Sequence, residues 1–217
     1  MKIASYAGRP VVRKTMLTRI FDLQVENLRR IGIELEKKDL LKIRAKIPNC
    51  IEISHHRNFS MLLVVPFSVV PLRTQFQAVD LGNKKGKKGY TFLNPTSLLH
   101  AGSIVPPEEL YLICDIEDGK DTLNQSPEEC EEIFSGSARF PLTVNQGLSM
   151  VIQWPVILQD HYLQLGGSRI KDSVTKRRYV PDLYVFANRL KMNREEPDDA
   201  DPRWGNPSYG SIITLDS

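Results

Sequence analysis

Arg139-Phe140-Pro141-Leu142-Thr143-Val144-Asn145-Gln146-Gly147 orders the rest of the chain around itself. Threonine is a good helix N-cap, and a glutamine three residues on can return a bond to the N–H of the cap. Thr143 and Gln146 therefore mark a helix start. Val144, Leu148, Val151 and Ile152 give that helix an apolar face until Trp154-Pro155 interrupts it. The same signature stands earlier, at Ser126-Pro127-Glu128-Glu129, and predicts a helix to about Phe134. Before it, Leu110 to Ile116 is apolar almost throughout, the pattern of a central strand.

Toward the N-terminus, residues 1 to 14 read as a loosely held lead-in. Met16, Ile20, Leu23, Leu28 and Ile31 then recur near the helical period, with Thr15 or Thr18 as the start and Gly32 as the stop. Leu40, Leu41, Ile43 and Ile47 repeat the pattern up to Pro48, so a helical hairpin turning at Gly32 is expected. After Pro48 the pattern changes. Ile51 and Ile53 alternate with polar neighbours, and Met61 to Val65 is aliphatic; both read as strands, the second cut short by Pro66 and Pro71. Tyr90 to Leu93 reads as a short strand before the Asn94-Pro95 turn, and Thr96 or Ser97 as the start of a short helix or turn through Leu99. Leu183 to Ala187 is a further strand, and residues 194 to 203 an acidic, proline-containing loop. Strands and helices mix without βαβ alternation. The expected class is α+β: a mixed, largely antiparallel sheet with an N-terminal helical hairpin and two further helices packed on it. Residues 1–48 form the lead-in and hairpin and residues 49–217 the α+β domain, the two making one compact unit.

The 217 residues carry a net charge of +3, with 41% hydrophobic and 25% charged residues, which excludes a disordered chain and neither requires nor excludes an anionic partner. Three sparse cysteines, Cys50, Cys114 and Cys130, argue against a disulfide framework and for a reducing, cytoplasmic setting. Cys114, in the central strand, reads as a small buried hydrophobe. The longest apolar run is far shorter than the roughly 20 residues of a spanning helix, so no membrane partner is expected.

Several blocks resemble an uncharacterised bacterial family of domains of unknown function, DUF5701. They are Leu93-Asn94-Pro95, Tyr111-Leu112-Ile113-Cys114-Asp115 with Gly119 and Thr122-Leu123-Asn124, Arg139-x-Pro141-Leu142-Thr143-Val144 with Gly147, Leu165-Gly166-Gly167-Ser168-Arg169, Val180-Pro181-x-Leu183 and Gly205-Asn206-Pro207. The resemblance covers roughly residues 90–210, with a weaker echo in the first helix. Members tend to have glutamate where this chain has Gln146. The resemblance implies a shared fold and a bacterial origin, and no reaction or cofactor.

Gly166-Gly167-Ser168-Arg169 is the sharpest functional candidate. Two glycines let backbone approach a ligand, and an arginine can grip a carboxylate or phosphate with two bonds. The alternative is a glycine bulge with Arg169 in a structural ion pair. Ser168 as a nucleophile needs a base such as His161. Arg139 either helps Arg169 and Asn206 line an anion site or pairs with Asp115 or Glu128. Trp204 before Gly205-Asn206-Pro207 reads as a turn anchor, or as a contact surface if exposed. Asp115, Glu117, Asp118 and Asp121 lack calcium-loop spacing, with Asp118-Gly119 supplying a turn, and His55-His56 on a strand point apart, so no metal site is expected. Lys84, Lys85, Lys87 and Lys88 can attract phosphates, but no Gly-Lys-Ser/Thr order and no interleaved aromatic accompanies them. The leading expectation is a non-enzymatic binding or interaction module for an anionic ligand or a protein. The alternative is a hydrolase or transferase acting on a small anionic substrate through the Gly-Gly-Ser-Arg segment, and nucleic-acid contact comes third.

Overall fold

The computed structural model describes residues 14–47, 59–82, 88–91, 97–101, 105–172 and 175–216. The lead-in before Lys14, the strand at Ile51 and Ile53, Cys50 with His55-His56, lysines 84, 85 and 87, and the Asn94-Pro95 turn lie outside the described residues. In chain order the elements are α1 (Lys14–Arg30), α2 (Lys37–Lys46), β1 (Phe59–Val64), α3 (Leu72–Ala78), β2 (Tyr90–Thr91), β3 (Leu98–His100), β4 (Tyr111–Glu117), α4 (Pro127–Gly136), β5 (Phe140–Pro141), α5 (Val144–Gln153), α6 (Ile157–Asp160), β6 (Tyr162–Gln164), β7 (Ser168–Lys171), β8 (Arg178–Phe186), β9 (Arg189–Glu195), β10 (Trp204–Gly205) and β11 (Ser208–Ile213). The class is α+β, as expected.

The hairpin turns where glycine permits it. Gly32 has φ +82°, its N–H donates to Arg29 O, and the Ile33 N–H donates to Leu28 O at 2.9 Å. These two bonds form a Schellman stop. Arg44 reaches Asp22 through two 3.0 Å bonds. Those positions lie equally far from Ile33 along the chain, as an antiparallel helix pair requires. The buried face of α1 is not the expected one. Met16 and Leu23 are 55% and 54% exposed, whereas Leu17, Phe21, Gln24, Val25 and Leu28 are buried. The helix is rolled so that the Phe21 ring enters the core and Gln24 reaches β1.

The strands divide into two sheets. The first, in the order β1-β4-β11-β5, is antiparallel throughout, with β4 central as its apolar run implied. The second runs β10-β6-β8-β7-β3, with β9 on β8 and β2 on β9; only β10–β6 and β2–β9 are parallel. Leu98 and Leu99, expected in a short helix or turn, instead form β3, because β7 offers them a ladder (Leu98↔Ile170, Leu99↔Arg169, His100↔Ser168). Several elements had no expectation, α3 and β9 among them. Pro71 does not merely end a strand; it precedes α3. The acidic stretch begins inside β9, which pairs along its whole length with residues 180–186 of β8.

Helix α5 packs against both β1 and β8, and its residues Val144 and Gln146 to Ile152 are buried. A helix buried on most of its sides is a core element. Both capping boxes close as expected: Thr143 N–H donates to Gln146 Oε1 at 2.8 Å, and Ser126 N–H to Glu129 Oε2 at 2.8 Å. The outer edge of β1, a row of unpaired backbone groups in most edge strands, is covered by side chains. Gln24 Nε2 donates to Met61 O at 2.8 Å and Leu63 N–H donates to Gln24 Oε1 at 2.7 Å, so one amide stands in for a neighbouring strand. Asn145 and Ser149 of α5 continue the cover at Val65 and Phe67. One hydrophobic core runs through the hairpin, both sheets and α5.

In the second sheet Leu163, Leu183, Leu190 and Met192 face this core. The opposite face carries Trp204, Tyr162, Tyr184, Lys191, Tyr90 and Phe186, all at least partly exposed.

Candidate functional site

The residues proposed for an anion site fall into three separate networks. Arg139, just before β5, lies between β4 and β11. Its Nη1 bonds Asp115 Oδ2 at 2.7 Å, Nη2 donates to Asp115 O at 2.7 Å, and Nε donates to Ser208 Oγ at 2.8 Å. Glu117 stands 3.4 Å away. The carboxylate partner is Asp115, whereas Glu128 is exposed and its N–H bonds Pro197 O. Asp115 holds φ +57° within the central strand, a conformation that costs a non-glycine residue free energy unless its surroundings enforce it.

Asn206 is 1% exposed. Its Nδ2 donates to Gln125 O at 3.0 Å and Gln164 Oε1 at 3.2 Å, and its N–H to Thr122 Oγ1 at 2.8 Å. Gln164 faces Asp182 across the β6–β8 ladder. Asp182 is fully buried, accepts the Asn193 N–H at 2.7 Å through Oδ1, and leaves Oδ2 without a partner. Burial pushes its carboxyl up to about 8, opposed by the Asn193 N–H and reinforced by the neighbouring Glu195. Burial and nearby Asp199 raise Glu195 as well.

The double glycine lies between β6 and β7. From Leu163 to Ile170 this strand advances seven residues, whereas β8 advances four from Leu183 back to Tyr179, so the excess bulges out around Gly166-Gly167. Gly167 touches backbone rather than open space. Its N–H donates to Leu142 O at 3.0 Å, and a Cβ there would lie 2.4 Å from Pro141 O and 2.8 Å from Leu142 C. Gly167→Ala should therefore lower stability by about 1–3 kcal/mol through overpacking, read as a fall in the urea midpoint. An unchanged midpoint would leave the close backbone crossing without energetic weight. Arg169 pairs with Glu131 and donates to Gly166 O and Ser168 O.

Ser168 is 4% exposed, and its Oγ accepts the Val144 N–H at 3.1 Å, joining the first turn of α5 to β7. His161 is also 4% exposed; its Nε2 lies 2.9 Å from Asp118 O, with Nδ1 unbonded. The two make no bond to each other. The imidazole that does accompany Ser168 is His100, its direct partner across β3–β7, and direct partners share a face of the sheet. Both line a groove of about 220 Å³ at the start of α5, with Ser68, Glu108 and Asn145. The sequence holds no signal for His100, because the pairing depends on β3. A larger groove of about 410 Å³ between α1 and β1 is lined by Phe59 and Trp154, stacked at 3.9 Å; its chain neighbours 48–58 lie outside the described residues. Neither groove is lined by Arg139, Arg169 or Asn206. Among the described residues, no group of three or more His, Cys, Asp and Glu could hold a metal ion, and no helix is long and apolar enough to cross a membrane.

The fold is thus a two-sheet α+β unit in which five of the six motif blocks mostly bond one another. The chain belongs to the family of unknown function DUF5701, whose family model matches residues 16–200. That span takes in the hairpin and β1 and stops short of Trp204 and the Gly205-Asn206-Pro207 turn. No curated protein and no solved structure matches the chain.

Proposed function

We propose that the protein is a non-enzymatic binding module, with the hairpin and the α+β region acting as one unit. The reading is carried by the state of the side chains a catalytic mechanism would need. Ser168 Oγ accepts the Val144 N–H, Arg169 is bonded to Glu131 and two carbonyls, and Arg139 to Asp115 and Ser208. A catalytic constellation keeps such groups convergent on open space; here they tie strands and helices together. The sparse cysteines, with Cys114 and Cys130 buried, suit a reducing cytoplasm, and the family resemblance suits a bacterial source.

One observation favours the second reading, a hydrolase or transferase acting on a small anionic substrate. Ser168 and His100 face the same groove at the N-terminus of α5, where the helix dipole attracts negative charge. In that reading His100, not His161, takes the Ser168 proton. A fluorophosphonate probe decides between them, since it labels a serine only when a base activates it. The native chain should remain unlabelled. Labelling at Ser168 that His100→Ala abolishes would replace the binding reading with the enzyme.

A further inference from the structure

We propose that the outer face of the second sheet binds single-stranded nucleic acid; this deepens the binding-module reading, on which it rests, by naming the partner. The inner face of this sheet is aliphatic and buried. An antiparallel sheet with one face on the core ordinarily turns polar side chains to solvent on the other. Here the register instead lines up aromatic rings from four strands, with Lys191 of the intervening β9 between them. Trp204 on β10 stands beside Tyr162 on β6, Tyr184 on β8 is paired with Lys191 on β9, and Lys191 is paired with Tyr90 on β2. Three of the rings are contiguous: centroids are 5.1 Å apart for Tyr162–Trp204, 5.9 Å for Tyr162–Tyr184 and 5.8 Å for Tyr184–Trp204. Phe186, on the same face as Tyr184, is 59% exposed. At strand spacings of about 4.8 Å the row spans roughly 19 Å, which suits the shortest single-strand sites, about four nucleotides.

Charge selects the occupant. Lys191 Nζ sits between the rings, 4.2 Å from the Phe186 centroid and 5.0 Å from the Tyr90 centroid. Arg189, directly opposite Phe186, is exposed and forms no ion pair among the described residues. Exposed Lys88 stands two residues before Tyr90, at the end of the lysine-rich segment that begins at Lys84. The carboxylates nearest in sequence are Asp182, two residues before Tyr184 but fully buried, Asp160, two residues before Tyr162, and Asp201, which is bonded to Arg203. Rings interleaved with cations fit bases on a phosphate backbone, because every base has a face to stack and every phosphate a charge to neutralise. A neutral saccharide would leave Lys191 and Arg189 without a role.

Trp204 is the built-in reporter. The chain has two tryptophans, so Trp154→Phe leaves Trp204 as the only indole. Oligothymidylate and oligouridylate of about twelve nucleotides, long enough to cross the row, should each quench its fluorescence. Affinity should fall with salt on a log–log slope of about −0.7 per phosphate neutralised. Phe186→Ala and Tyr184→Ala should weaken binding about 5- to 150-fold, the range for one stacked base, with melting curves confirming that both variants fold. Arg189→Ala should make the slope shallower by about 0.7. No quenching by either oligonucleotide overturns the proposal. So does base-free polyphosphate binding as tightly as the oligonucleotides, or quenching by a neutral oligosaccharide alone. Fluorophosphonate labelling of Ser168 would remove the binding-module reading whatever the oligonucleotides do, whereas failed titrations would remove only this partner.

Discussion

Replacing Arg139 with methionine should destabilise the protein by about 3–5 kcal/mol, the loss expected when a buried charge is stripped of its partner. In a chain of this size that is a fall in melting temperature of about 6–20 °C. The Arg139 and Asp115 side chains are 13% and 5% exposed. Asp115 Oδ1 already lacks a hydrogen-bond partner, so Oδ2 and the main-chain carbonyl depend on the guanidinium. The left-handed backbone at Asp115 adds to the dependence, because Arg139 bonds both the side chain and the carbonyl of the strained residue. Asp115→Gly relieves both burdens at once, since glycine accepts positive φ and carries no charge. Introduced into the Arg139→Met chain, it should recover part of the loss rather than add to it, a non-additivity expected of residues in contact. Calorimetry of the four chains of the cycle measures this. A native-like melting temperature for Arg139→Met would show that the cluster holds nothing together, and would return Arg139 to the list of groups free to meet a ligand.

The second large effect is on pH dependence. Asp182 has an ordinary carboxyl value of 3.8 when the chain is unfolded and about 8 when it is folded. Between those limits the native state holds a proton that the unfolded state has released. Stability therefore falls as pH rises, by at most about 1.4 kcal/mol per unit from this group, and the loss is complete above about pH 8. Glu195, also raised, acts in the same direction. Asp182→Asn keeps an oxygen for the Asn193 N–H and removes the charge. It should match the native chain near pH 4, exceed it near pH 8, and show a flatter profile between. Urea unfolding at several pH values is the measurement. Equal slopes for the two chains would mean that Asp182 ionises normally within the fold.

Local signals carried much of the architecture. Thr143 with Gln146, Ser126 with Glu129 and Gly32 each state a helix end in three or four residues, and each is found where it was read. The apolar run of β4 likewise implied its central place. Features that depend on distant partners were harder to read. On α1 the apolar count favoured Met16 and Leu23, but a polar residue, Gln24, belongs to the buried face because it bonds a strand far along the chain. The β8–β9 hairpin was half hidden. Its turn places Ala187 and Asn188 at φ +50° and +60°, a two-residue turn usually announced by Asn-Gly or Asp-Gly. The charges of β9 mask its alternation until its one buried face is known. For the site, the Arg139–Asp115 pair was one of the two pairings read from the sequence. The groove that joins His100 to Ser168 was not legible, since it exists only once β3 has found β7. The aromatic row was likewise invisible, its rings coming from four strands spread between Tyr90 and Trp204.

The Gln24 amide also bears on solubility. A sheet rim left open invites a second molecule to add its own strand and begin a polymer. A single side chain from the first helix blocks that route at β1. The N-terminal hairpin therefore guards the rim of the sheet behind it, and a chain without the Gln24 amide is expected to aggregate more readily.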